Sequence, residues 1–379
     1  MADAIRRIAI VIPNLGLGGL ERLMIVLARE WVALGWQVDF VLMRREGPLL
    51  EALPASSCNV IELGVDKLRQ VAAPLSRYLR ETRPTATILA MWPLTVIGTW
   101  AWLRAGRPGH LVVSEHTNLK QLPEYASFWK RYLLRLSIAV FYRLADRCIA
   151  VSHGVADSMA SAGYLRRNTI DVIHNAAAYR FADGFRLPPD GESPFADVAS
   201  KRILAVGTLK EEKDYPTLLH AFQRVSSCMR ARLTIVGDGP LRVEIEQLIR
   251  TLNLGDHVDL VGSVMEPAPW FRCADLFVLS SRYEGFGNVI VEALQWGVPV
   301  VSTDCPSGPA EILDDGRYGR LVPVGDVVAL ANAMIAVLGE KTDRDALEAR
   351  ARVFSPRPVA LRYLTVMFPQ EAAMAPDNV

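Results

Sequence analysis

Twice along its length the chain alternates short apolar runs with longer amphipathic segments, and this alternation limits the fold more than any other feature. RIAIVI (7–12), QVDFVLM (37–43), TILAM (87–91), HLVVSEH (110–116) and RCIAVS (147–152) have the length of strands. Residues 20–34 have helical spacing and stop at Gly35. Near-continuously apolar strands separated by helices predict βαβ units and a parallel sheet covered on both faces. The pattern lapses over residues 176–200, which are rich in Pro, Gly, Asp and Ser and read as a linker.

A second series then begins. KRILAVG (201–207), RLTIVGDGP (232–240), HVDLVG (257–262), DLFVLS (275–280) and VPVVST (298–303) read as strands, with helices near 215–228, 240–253, 287–296 and 326–339. A length of 379 residues with 51% hydrophobic content suits two domains. The expected division is residues 1–175, a linker at 176–200, and residues 201–355. The tail, 356–379, is expected to pack back on the first domain. Residues 84–103 carry no charge and would be long enough to span a bilayer, but Pro84 and Pro93 break the run. They are read as a buried strand, a turn at Trp92-Pro93, and a helix.

In open parallel sheets, ligands bind beyond the carboxyl ends of the strands, and four segments there carry chemistry. Gly16-Leu17-Gly18-Gly19, followed by Glu21, closes the first strand with a backbone that a phosphate can approach. Its spacing is not that of a dinucleotide fingerprint, and an ordinary tight turn explains it equally well. Ser114-Glu115-His116-Thr117 ends another strand, where His116 could donate to a sugar hydroxyl or serve structure alone. Gly207-Thr208-Leu209-Lys210-Glu211-Glu212-Lys213 follows the first strand of the second series. A lysine there can neutralise a diphosphate, although a charged solvated loop is the usual fate of such a run. The most informative segment is DLFVLSSRYEGFGNVIVEAL. Gly285, Phe286, Gly287 and Asn288 lie at a helix start suited to a diphosphate, with Glu284 in the loop and Glu292 about a turn inside the helix. A loop acid plus a helix acid explains each residue singly but not the ensemble.

At these residues the chain resembles the retaining glycosyltransferases of the GT-B fold, in the large group called family four. The resemblance runs over nearly the whole chain. Its most specific element is E-x7-E, here Glu284 and Glu292, in the context EGFGNVIVEAL-x-x-GVPVV. VGDGP (236–240, with Gly237), VIHN (172–175) and the GG-x-E of Gly18, Gly19 and Glu21 also match. The resemblance implies two Rossmann-like domains with parallel sheets facing across a cleft. It implies a nucleoside diphosphate sugar, UDP- or GDP-linked, as donor, and transfer with retained configuration. Glu284, His116 and Lys213 take the catalytic roles: Lys213 on the diphosphate, Glu284 and His116 on the sugar. Gly207, Thr208, Gly237 and Gly285–Asn288 line the donor, and Glu292 holds the ribose. One departure stands out, because Thr208 occupies the position of a family arginine. Arg282 or Lys210 is expected to supply the missing charge. The nucleotide sugar is a substrate, so no cofactor and no metal are expected.

Charge points to the acceptor side. Residues 1–180 contain 22 Lys+Arg and 14 Asp+Glu, a net of +8, and the remainder carries −7. With a whole-chain net charge of only +1, nucleic acid is a poor partner. An anionic membrane surface or a phosphate-bearing, glycan or lipid-linked acceptor fits better. Residues 128–147 (FWKRYLLRLSIAVFYRLADR) read as one basic amphipathic helix, with Arg131, Arg135, Arg143 and Arg147 on a broad arc and Trp129, Leu133, Leu136 and Val140 among the apolar positions. Five cysteines without a CxxC pair, and no signal-peptide pattern, suit a cytoplasmic protein that is peripheral on the inner face of the plasma membrane. Two other functions remain open on sequence grounds. One is a nucleotide-sugar epimerase of the same fold, and the other is a sugar-binding homologue without catalysis.

Overall fold

The computed structural model describes residues 6–54, 57–179, 194–195 and 200–372. The chain divides into two compact units, one formed by residues 1–176 and 355–379 and the other by residues 177–354. Most of the expected linker, 180–193 and 196–199, lies outside the described residues.

Unit 1 is built on β1 (Arg7–Ile12), β2 (Gln37–Leu42), β3 (Cys58–Glu62), β4 (Ala86–Ala90), β5 (His110–Glu115), β6 (Arg147–Ala150) and β7 (Ile170–Val172). They form one parallel seven-stranded sheet in the order β3-β2-β1-β4-β5-β6-β7. Its helices are α1 (Gly19–Ala33), α2 (Ala72–Thr82), α3 (Leu94–Arg104), α4 (Pro123–Ala126), α5 (Phe128–Phe141) and α6 (His153–Gly163). Ile8 to Ile12 and Val38 to Leu42 are almost entirely enclosed, which is why the first run reads as uninterrupted apolar and the second is broken only by buried Asp39.

Unit 2 repeats the plan with β8 (Lys201–Val206), β9 (Ala231–Val236), β10 (Val258–Gly262), β11 (Leu276–Leu279), β12 (Val300–Thr303) and β13 (Arg320–Val322). Its parallel sheet has the order β10-β9-β8-β11-β12-β13. The helices are α7 (Tyr215–Cys228), α8 (Arg242–Thr251), α9 (Ala268–Cys273), α10 (Asn288–Gln295), α11 (Pro309–Leu313), α12 (Val327–Gly339) and α13 (Arg344–Arg352). Phe222, Leu218 and Leu219 of α7 pack with Leu330 and Met334 of α12 and with Leu233 and Ile235 of β9. Both sheets are of Rossmann type, and in each the strand order reverses beside the first strand. Loops diverge at that reversal and leave a crevice.

The C-terminal helices α14 (Pro356–Met367) and α15 (Pro369–Ala372) belong to unit 1. Trp31 of α1 donates its indole N–H to the Ala360 carbonyl at 3.1 Å and meets Tyr363 edge-on, with ring centroids 5.9 Å apart. Trp36 stacks on Phe368. Residues 84–103 form β4, a cis Trp92-Pro93 bond and α3. Among the described residues no helix is long and apolar enough to cross a membrane.

The reading of 128–147 as one helix is corrected. The helix ends at Phe141, a short 3-10 turn covers Tyr142–Leu144, and Arg147 opens β6. Arg143 and Arg147 therefore do not share a helical arc with Arg131 and Arg135. Ala145 and Asp146 cannot extend the helix because Asp146 already serves the sheet: its backbone N–H donates to Leu111 O, and its carboxylate accepts from Leu111 N.

Candidate functional site

In unit 2 the reversal falls between β8 and β11, and the loops leaving these two strands carry the expected donor residues. The first loop, Gly207–Asp214, is held from beneath. Gly207 N donates to Val236 O, Leu209 N to Asp238 O, and the Tyr215 hydroxyl to Gly207 O at 2.8 Å. Gly237 has φ +148, and a Cβ there would stand 2.0 Å from Gly207 O. The two loops can pack this closely only through a glycine. This gives VGDGP a structural reason independent of any ligand.

The second loop, Ser280–Gly287, is laced to the first. Ser280 Oγ donates to Lys213 O (2.7 Å) and Arg282 N to Glu212 O (2.7 Å). Across the seam, Lys213 Nζ meets Glu284 Oε1 at 2.6 Å, and the Ser281 hydroxyl donates to the same oxygen at 2.7 Å. Both partners are largely shielded, with side chains 19% and 11% exposed, so this pair is less screened by solvent than a surface ion pair. Thr303 of β12 donates to Ser281 O and fixes the loop from the far side. The nearby Cys305 thiol is pushed up to about 12, first by burial and then by the Glu284 charge.

Gly285 and Phe286 follow, and Gly287 (φ +97) caps α10 with no side chain to accept from its first turn. Amide groups at a helix start and the positive end of its dipole favour an anion. Asn288 and Glu292 lie in α10 itself, Glu292 about one turn in. Gly308 (φ +100) presses on this loop: a Cβ there would fall 1.8 Å from Phe286 O. Thr208 is exposed, as is Lys210. The Arg282 guanidinium lies against Asp214, with Nε to Oδ2 at 3.2 Å. Arg282 is thus a cation held at the same seam as Lys213, and its own side chain is 58% exposed.

In unit 1 the turn after β1 leads into α1, with Gly18 as N-cap and Gly19 as first residue. A Cβ on Gly18 would lie 2.2 Å from a Glu21 carboxylate oxygen, so the carboxylate folds back over the turn. Burial raises the Glu21 carboxyl above its usual range. His116 follows β5, its Nε2 2.9 Å from Ser114 Oγ. Its Nδ1 is buried with no hydrogen-bond partner among the described residues. Burial lowers its pKa to about 3, so the ring is neutral in neutral solution and one nitrogen keeps a proton to donate.

One acid escaped the sequence reading. Glu115, beside His116, is fully buried in unit 1; it accepts from the Tyr142 hydroxyl and lies 3.4 Å from Thr95 Oγ1. Burial raises its pKa to about 7, against the lowering effect of Tyr142, Thr95 and the Trp92 amide. The available signal was a glutamate closing the apolar strand β5, in a segment singled out only for His116. Asp214 and Thr303, which hold this loop in place, were also missed, because their partners Arg282 and Ser281 are 68 and 22 residues away. The sequence contains one Asp-x-Asp, Asp343–Asp345, and Asp343 accepts from Ala346 N as the cap of α13.

Two Rossmann-like parallel-sheet units of this kind make up the GT-B fold of glycosyltransferases. Two family models agree. Residues 17–178 match glycosyltransferase family 4, and residues 200–340 match glycosyl transferases group 1. The chain is a glycosyltransferase of family 4, group 1. It is 25% identical, over 95% of its length and 99% of the relative's, to the N-acetylgalactosamine-N,N'-diacetylbacillosaminyl-diphospho-undecaprenol 4-alpha-N-acetylgalactosaminyltransferase of Campylobacter jejuni. It is 28% identical to the lipopolysaccharide core biosynthesis glycosyltransferase LpsE of Rhizobium meliloti, over 60% of this chain and 65% of that one. Among solved structures, Anabaena HepE in complex with UDP and glucose superposes with a TM-score of 0.70 at 20% identity, covering 98% of this chain and 100% of that one. A glycosyltransferase from Rickettsia africae gives a TM-score of 0.74 at 18% identity, covering 98% and 99%. The named relatives are glycosyltransferases, which favours transfer over the epimerase and non-catalytic alternatives.

Proposed function

We propose that the enzyme moves a sugar from a UDP- or GDP-linked donor onto a glycan or lipid-linked acceptor in bacterial surface-polysaccharide synthesis, with the anomeric configuration retained. The observation that carries this reading is the Lys213–Glu284 pair beside the start of α10. A donor diphosphate arriving there would draw on both the Lys213 ammonium and the α10 amides, with Arg282 as a further cation replacing the arginine that Thr208 lacks. Lys213 would then turn from Glu284 to phosphate. The freed Glu284 carboxylate, still held by Ser281, would accept sugar hydroxyls, and Glu292 would accept those of the ribose. Neutral His116 would donate from its unpartnered nitrogen to the sugar.

The bond from the anomeric carbon to the diphosphate oxygen breaks as the acceptor oxygen bonds to that carbon from the same face. The departing phosphate oxygen takes the acceptor proton. The protein's contribution is to position the reactants and stabilise charge, and no metal takes part in this scheme. Because the Campylobacter relative is named for a diphospho-undecaprenol substrate, a lipid-linked acceptor met at the inner face of the membrane is favoured. A thermal-shift screen of UDP- and GDP-sugars tests the donor. A ligand at a hundred times its Kd stabilises the folded state by about 2.7 kcal/mol, so the correct donor should raise the unfolding midpoint in wild type and much less in Lys213→Ala. If none of the sugars shifts the midpoint, the assignment is wrong.

A further inference from the structure

Helix α5 turns its apolar side the wrong way for an ordinary cover helix. Only Leu134 and Ile138 are buried. Trp129, Leu133, Leu136 and Val140 recur at the spacing of one helical face, and all four are exposed in the context of the whole chain, Trp129 by 72% and Leu133 by 61%. Phe128 and Tyr132 extend the same surface. Such concentration of large apolar groups in water marks a contact surface.

The charge around it identifies the contact. Residues 128–143, the helix and the turn that ends it, hold Lys130, Arg131, Arg135 and Arg143 and no acid, a net of +4. Arg135 stacks 4.3 Å from the centroid of exposed Tyr164, and Arg131 lies over Tyr125 and Phe128. Exposed Lys130 flanks the stripe, and half-buried Arg131 and Arg135 sit on aromatic rings further round the helix. A second copy of this chain would bring two such basic borders together, which like-charge repulsion opposes. A bilayer with anionic headgroups satisfies both parts: side chains enter the headgroup–acyl boundary while the cations meet lipid phosphates.

We infer that the outer face of α5, centred on Trp129, Leu133 and Leu136, is a docking surface for an anionic phospholipid bilayer. This deepens the lipid-linked-acceptor reading and rests on it for its biological purpose, but the observations are independent of any donor or acceptor.

Flotation of the full-length protein with vesicles of equal parts phosphatidylglycerol and phosphatidylcholine, against phosphatidylcholine alone, tests it. Wild type should float with the anionic vesicles and lose binding as salt is raised. The double variant Leu133→Glu with Leu136→Glu should lower the bound fraction by about tenfold or more, because charged groups replace two that would leave water. A second variant, Lys130→Gln with Arg131→Gln, should weaken binding to anionic vesicles and flatten its salt dependence. Equal thermal midpoints for all the proteins establish that folding is intact. Failure to float, or binding unaffected by the double variant, would overturn the proposal. So would a dimer in solution that the double variant dissociates without any flotation. The donor reading is scored separately by nucleotide-sugar thermal shifts, which these variants should leave unchanged.

Discussion

Replacing Glu115 by glutamine should change the pH dependence of stability in a way that no merely structural role would produce. Glu115 is 1% exposed, and burial raises its pKa from 4.5 to about 7. Between those values the folded state holds a proton that the unfolded chain has released. Its favourable contribution is therefore complete below pH 4.5 and is lost as pH rises through about 7. At ~1.4 kcal/mol per pH unit, the loss is about 3 kcal/mol. His116 works in the opposite direction. Its pKa falls from 6.5 to about 3, so its contribution is full above pH 6.5 and is lost as pH drops. Because His116 is present in both proteins, it cancels in their difference. Glutamine can still accept from Tyr142, and any change in the remaining hydrogen bonds gives an offset that does not vary with pH. Wild-type stability minus variant stability should thus fall by about 3 kcal/mol from pH 4.5 to pH 8. Urea titration followed by tryptophan fluorescence reads the right unit, since six of the eight tryptophans lie in unit 1. Parallel pH profiles for the two proteins would refute the reasoning.

Other substitutions probe the donor loops. Glu292→Ala should keep the fold, judged by an unchanged circular dichroism spectrum, and lower transfer by on the order of a hundredfold; wild-type turnover would remove Glu292 from the site. Arg282→Ala should weaken donor binding in a thermal-shift titration, and an unchanged donor affinity would show that Thr208 has no substitute there. Gly308→Ala places a methyl against the Phe286 carbonyl at positive φ, so it should cost roughly 3 kcal/mol in denaturant unfolding and reduce donor binding together with it.

The alternation of apolar runs placed β1, β2, β4, β5 and β6 and five strands of unit 2, because strands covered on both faces leave a mostly apolar trace. β3, β7 and β13 left less: they are edge strands of three to five residues with partly exposed sides. Helix α5 misled for a related reason. Periodicity tells that two faces differ, not which of them meets protein, and here the more conspicuous apolar stripe faces solvent. At the proposed donor site, Glu284, Gly287 and Glu292 were legible because they sit within nine residues on one strand–loop–helix unit. Their supports, Asp214 at the start of α7 and Thr303 on β12, reach the loop from other elements, and only the folded chain relates them.

Unit 1 is completed by the last helices of the chain. Trp31, near its beginning, is sealed by Ala360 and Tyr363. On the ribosome, the first unit to begin emerging is therefore the last able to close, and unit 2, whose residues are contiguous, can finish folding earlier. A stop codon at position 355 would release a protein with a complete second unit and an open groove along α1.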